Sequence, residues 1–257
     1  MGLHRSTLHY RPSRKDEDLI RARLKELAQQ RRRFGCPRLH VMLKREGLVV
    51  NHKRTERIYR EEGLKLSKRR KSRKRGALLR VEMPLAEKAN QRWSMDLMSD
   101  SMSGGRRFRV LTIVDDYSRE CPAMEVDTSI TGLRVVRVLD HLAERHGLPT
   151  FITVDNGPEF AGKALDEWAY RKGVTLRFIE PGKPIENAYI ESFNGKFRDE
   201  CLNENWFTSL YEARAIIENW RRDYNEERPH SSLGGLPPGK FARQAKISAA
   251  RECFALS

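Results

Sequence analysis

RWSMDLMSDSMSGGRRFRVLTIVDD (92–116) sets the fold. In its first part Trp93, Met95 and Leu97 alternate with more polar positions, the period-two pattern of a strand with one face in a core. SMSGG (101–105) reads as a turn, and FRVLTIVDD (108–116) returns as a nearly unbroken apolar run, as a strand covered on both faces does. The stretch predicts a β-hairpin with a buried second strand.

Working towards the C-terminus, SRECPAMEVD (118–127) reads as a third strand. TGLRVVRVLDHLAERH (131–146) is an amphipathic helix ended by Gly147 and Pro149. TFITVD (150–155) is a short apolar strand and NGPEFAGKALDEWAYRKG (156–173) a helix; VTLRFI (174–179) is a strand and PIENAYIESFNGKFRDECL (184–202) a helix. Three strands in succession, then alternating helices and strands, predict an α/β fold: a mixed sheet of about five strands with helices on both faces, in the element order of ribonuclease-H-like proteins.

Towards the N-terminus the pattern becomes helical. DEDLIRARLKELAQQ (16–30) puts Ile20, Leu24 and Leu27 on one face, with acids at the positive end of the helix dipole. PRLHVMLKREG (37–47) and NHKRTERIYREEG (51–63) are two further short helices, with Asn51 as a cap and Gly47 and Gly63 as stops. Two short helices about a Gly-containing turn outline a helix-turn-helix, or an ordinary helical hairpin with a charged face. In the former, His52, Lys53, Arg54 and Arg57 reach phosphates or base edges.

Charge divides the chain. Residues 1–90 hold 27 Lys/Arg against 10 Asp/Glu, and residues 91–257 hold 23 against 25. KLSKRRKSRKRGALLR (65–80) has nine basic residues and no acid, so it repels itself and suits a linker along a polyanion. A basic segment patterned as helices points to nucleic acid, bound through phosphates. The four cysteines (36, 121, 201 and 253) stand too far apart for a zinc site or a disulfide framework. With no signal peptide or long apolar span, a soluble cytoplasmic protein is expected.

Three acids stand out. Asp96 lies in the first strand among apolar neighbours, where an ionised carboxylate is costly unless it is paired or holds a metal. Asp155 ends TFITVD, a strand end of the kind where ligand groups gather in α/β sheets; alone, before Asn-Gly-Pro, it reads equally well as a helix cap. Glu191 lies in the helix after the last strand, with 35 residues between it and Asp155. Asp115, Asp116, Glu159 and Glu186 read as turn or first-turn acids. Trp168, Trp206 and Trp220 read as core residues on helical faces.

The strings WSMD, TVDNGPEF, PGKPIENAYIESFNG (181–195) and YNEERPHSSLGG (224–235), with that spacing, resemble the DDE integrase core. This core is shared by retroviral integrases and bacterial insertion-sequence transposases, and the closer likeness is to the second-frame (OrfB) transposases of the IS-three family. Residues 34–64 resemble that family's helix-turn-helix region, although Cys36 stands where the family often has an aromatic residue. The resemblance implies a transposase that cleaves and joins DNA at insertion-sequence ends. In it Asp96, Asp155 and Glu191 act as catalytic and metal-binding residues for two Mg²⁺ or Mn²⁺ ions. Hard oxygen ligands suit those ions.

Lys53, Arg54, Arg57, Lys183, Asn187, Asn194, Lys196 and Arg198 are the expected DNA contacts, and His230 has a structural or DNA-contacting role. Expected partners are transposon-end and target DNA, further copies of the chain on that DNA, and an upstream-frame OrfA protein or fusion. The expected division is 1–64 for the helix-turn-helix-like region, 65–90 for the basic linker, 91–241 for the catalytic core and 242–257 for a C-terminal tail.

Overall fold

The computed structural model describes residues 14–66, 85–180 and 187–255, and the chain falls into two compact units, Met1–Ser72 and Arg73–Ser257. The expected basic linker and Lys183 lie largely or wholly outside the described residues. No helix among the described residues is long and apolar enough to cross a membrane.

The first unit is helical: α1 (Arg14–Gln30), α2 (Cys36–Arg45) and α3 (His52–Glu61). Ile20, Leu24 and Leu27 of α1 close on Leu39 and Leu43 of α2 and Ile58 and Tyr59 of α3. Asn51 caps α3, its Oδ1 accepting from the Lys53 amide at 3.0 Å. Gly47 and Gly63 take the left-handed conformation after their helices, with φ of 74° and 65°. Cys36 opens α2 half-buried, packed against the small core.

The second unit is a five-stranded sheet of β1 (Arg92–Ser101), β2 (Arg107–Asp115), β3 (Ala123–Asp127), β4 (Phe151–Val154) and β5 (Thr175–Phe178), in the order β3-β2-β1-β4-β5. β1–β2 and β2–β3 pair antiparallel, β1–β4 and β4–β5 parallel. Alternation along β1 sends Trp93 and Met95 to one face and Met98 to the other. On the first face, α4 (Gly132–His146) and α5 (Lys163–Lys172) bring Val135, Leu139, Leu165 and Trp168 against Leu111, Ile113, Ile152 and Val154. On the second, α6 (Ala188–Glu200) and α7 (Leu210–Glu226) bring Ile190, Phe193, Phe197 and Ile217 against Phe108, Val110 and Val114. β2 contributes to both cores, which is why apolar residues run almost unbroken from Val110 to Val114, with Thr112 the one exception.

Two expectations need correction, on the helix over 156–173 and on Trp206. The helix expected over 156–173 starts only at Lys163: the preceding residues form turns, as Gly157, Pro158 and Gly162 dictate. A last helix, α8, runs Pro238–Ala255, across the expected start of the C-terminal tail. Gly239 makes that helix's approach to α7 possible, since a Cβ there would lie 2.7 Å from Glu226 Oε1 and 3.0 Å from the Asn225 carbonyl. Trp206 is not a helical core residue; it sits in the connection before α7 and is 85% exposed, whereas Trp168 is buried and Trp220 packs at the edge of the α6–α7 core.

Candidate active site

Asp96 lies midway along β1, on the face turned to α6, and is half-buried. Its Oδ1 accepts from the Leu97 amide at 2.7 Å and its Oδ2 from Asn194 Nδ2 of α6 at 2.6 Å. Thr112, paired with Asp96 across β1 and β2, places its hydroxyl 3.0 Å from Asn194 Oδ1 and 3.2 Å from the Asp96 carbonyl. One asparagine thus ties both central strands to the helix that carries Glu191.

Asp155 follows β4 directly. The β1–β4 register ends with Ser94 opposite Thr153, two residues short of Asp96 and Asp155, and the charge of Asp155 acts on Asp96. Adjacent strands are about 4.8 Å apart. Asp155 Oδ1 accepts from the Gly157 amide at 2.9 Å, the turn-capping bond that Asp-Asn-Gly suggests. Glu191 stands exposed in the first turn of α6. Burial raises the pKa of Asp96; the charges of Asp155 and Glu191 raise it further, against hydrogen bonds from Leu97 and Asn194 that lower it.

Asp155 and Glu191 each lie near enough to Asp96 for their charge to act on it, but among the described residues no group of three His, Cys, Asp or Glu side chains is placed to hold a metal ion. None of the described ion pairs engages Asp96, Asp155 or Glu191. The neighbouring acids are all committed. Asp116 accepts from Arg92 Nε at 2.5 Å and Ser94 Oγ at 2.8 Å. Asp115 accepts from the amides of Asn90, Tyr117 and Ser118 and from the Ser118 hydroxyl. Glu159 is paired with Arg109; burial alone would raise its pKa, but that bond leaves it lowered. Asp96, Asp155 and Glu191 are thus three carboxylates that no described ion pair neutralises, oxygen donors of the kind that fit Mg²⁺ or Mn²⁺.

The residues expected to touch DNA fare differently. Lys53 is exposed and Arg54 half-buried at the start of α3. Arg57 is instead tied to Glu17 at 2.9 Å and Glu61 at 2.8 Å. Asn187 and Asn194 are buried, at 6% and 7% exposure, and Asn194 spends its amide on Asp96 and Thr112. Arg198 is exposed and donates to the Ser99 carbonyl at 3.2 Å; Lys196 reaches Ser192 Oγ at 3.1 Å.

The 224–235 motif is architectural. Asn225 both accepts from the Cys121 amide, at 2.9 Å, and donates to its carbonyl, at 2.8 Å. Arg228 makes a buried two-bond pair with Glu200 of α6. His230 is buried, with Nδ1 3.0 Å from Ser232 Oγ. Sequence reasoning passed over Thr112; its signal was a hydroxyl inside an apolar strand, which needs a buried partner.

Integrase core domain models match residues 86–184 and 172–238, and an HTH-like domain model matches 14–73. The chain is 52% identical over 252 residues to the uncharacterized 31.7 kDa protein of insertion element IS407 from Burkholderia multivorans, covering 97% of this chain and 90% of that one. The chain belongs to the integrase-core family of insertion-element transposases. Transposase InsF of insertion sequence IS3A from Escherichia coli K12 is 26% identical over 230 residues, covering 85% and 80% of the two chains. The HTLV-2 integrase catalytic core, solved with magnesium, superposes with a TM-score of 0.50 at 16% identity, over 61% of this chain and 98% of that one. That likeness shows the ribonuclease-H-like fold. The transposase therefore combines a helical HTH-like unit with a polynucleotidyl-transferase core that acts in DNA transposition.

Proposed function

We propose that Asp96, Asp155 and Glu191 are the catalytic carboxylates of this transposase and hold two Mg²⁺ or Mn²⁺ ions, with Asp96 common to both. One observation carries the reading: two exposed carboxylates lie near enough to a half-buried third for their charge to act on it, and no described ion pair engages any of them. The magnesium in the HTLV-2 core, a protein of the same fold, supports the choice of metal. Bound there, the ions would activate the attacking oxygen and neutralise the leaving one.

The chain's own residues supply the rest. Asn194 and Leu97 fix both oxygens of Asp96, and α6 presents Glu191 from the same helix face as Asn194. Water first breaks a phosphodiester bond at the element end, leaving a free 3′-OH. That hydroxyl then attacks a target phosphate, forming one P–O bond as another breaks, so neither ATP nor a protein–DNA covalent link is required. Lys53 and Arg54 contact end DNA from α3, Lys196 and Arg198 of α6 contact phosphates, and Lys183 is a further DNA contact. Joining two ends calls for several copies of the chain on DNA, with an upstream-frame OrfA protein or fusion as a further partner, in the bacterial cytoplasm.

The test is strand transfer on element-end oligonucleotides with Mg²⁺ or EDTA. Joined products that vanish with EDTA are expected. Cleavage without joining would make the protein a hydrolytic nuclease, and neither product would make it a DNA-binding protein.

A further inference from the structure

Arg119 adopts a costly conformation for which its own side chain offers no local compensation. Its φ is 63°, and among the described residues Asn90 is the other non-glycine residue with positive φ. Asparagine tolerates that region through local hydrogen bonds, whereas arginine has no such means. The guanidinium carbon lies 3.7 Å from the centroid of the Tyr189 ring, and buried Nη1 meets no hydrogen-bond acceptor among the described residues. The nearby carboxylate of Asp116 is already held by Arg92 and Ser94. The Arg92 guanidinium lies 5.9 Å from the same ring.

The turn that delivers Arg119 is built firmly: the Asp115 carboxylate binds two amides and a hydroxyl within it, and the Arg119 amide donates to the Asp115 carbonyl at 2.9 Å. A braced turn with a left-handed arginine at its end brings a flat cation onto one ring. Strain that the surroundings over-determine gathers at functional positions.

Tyr189 lies in the first turn of α6, two residues before Glu191, and Asn194 lies three residues after it. At 100° per residue, Tyr189 and Asn194 project about 140° apart around the helix axis. Asn194 ties one side of α6 to β1 and β2; Arg119 ties another to the β2–β3 turn. Two anchors so placed resist both roll and lift of the segment that carries Glu191.

We propose that Arg119 is a positioning residue for strand transfer: by clasping Tyr189 it fixes the first turn of α6, and with it the direction of the Glu191 carboxylate. This rests on the reading of Glu191 as a metal-holding group.

The test compares Arg119→Gly, Arg119→Lys, Tyr189→Ala, Tyr189→Phe and Glu191→Gln in the full chain. Arg119→Gly relieves the strained backbone, so global melting should barely move. Strand transfer should fall on the order of tenfold to a hundredfold, as for a displaced catalytic group. Half-saturating Mg²⁺ should rise, end-DNA binding should hold, and amides 190–193 should exchange hydrogen faster. Tyr189→Ala should match it and the double variant should be no worse than either. Tyr189→Phe, which keeps the ring, should behave as wild type, and Arg119→Lys should fall between.

Wild-type transfer and exchange in Arg119→Gly, beside an inactive Glu191→Gln, would overturn the clasp. Full transfer by Glu191→Gln would instead remove the reading of Glu191. Should Arg119→Gly unfold, the Tyr189→Ala and Tyr189→Phe contrast decides: equal rates and equal exchange in those two would overturn the proposal.

Discussion

A Cβ at Gly157 would lie 2.9 Å from Asp155 Oδ1 and 3.2 Å from Glu159 Oε2, closer than side chains ordinarily approach. Glycine there leaves the Asp155 carboxylate free to sit over the turn while its amide holds Oδ1. Gly157→Ala should push that carboxylate aside. Strand transfer should drop roughly tenfold to a hundredfold, the cost of misplacing a reacting group by about 1 Å. Gly157 has no positive φ to lose, so melting temperature should hardly change; unaltered transfer kinetics would contradict this. The three acids were legible because spacing and surrounding strings mark them jointly. Asn194 was legible only as a polar residue on the Glu191 face. That it turns inward to Asp96 depends on Thr112, brought opposite Asp96 by strand register. Arg119 was not legible, since nothing in SRECP announces a left-handed arginine.

At the scale of elements, the strands announced themselves because each face of the sheet has a distinct core, and alternation in β1 and continuity in β2 follow directly. The start of α5 was missed because turn residues precede it, and the contour of α7 and α8 was missed because their packing depends on Gly239 and on Asn225 bridging to Cys121.

The helical unit is held by charge as well as by its core. Arg21 and Arg57 link Glu17 of α1 to Glu61 of α3, and Lys25 and Arg21 reach Glu62. Hydrogen bonds from those cations hold the carboxyls of Glu17, Glu61 and Glu62 below their ordinary value of 4.5. Depressed carboxylate pKa values contribute stability that is present above the unfolded value and is lost as pH falls through the folded ones. Hydrogen exchange in α1–α3, corrected for intrinsic rate, should therefore accelerate as pH drops below 4.5, and added salt should weaken these exposed pairs at neutral pH. Protection in α1–α3 that is unchanged by acid would show that the apolar core alone holds the unit.

Across the whole molecule, charge and chemistry are divided: the basic residues crowd the first 90 positions, and the three candidate carboxylates lie in a later segment whose remaining charges nearly cancel. This division was readable from composition. DNA binding and catalysis should therefore separate. The most direct test is strand transfer by Asp155→Asn on paired element ends in Mg²⁺, with end-DNA binding measured in the same reaction. Joining should fall at least about a hundredfold, since even outer-shell losses around a metal cost tenfold to a hundredfold, while binding persists. Joining at the normal rate would contradict the assignment.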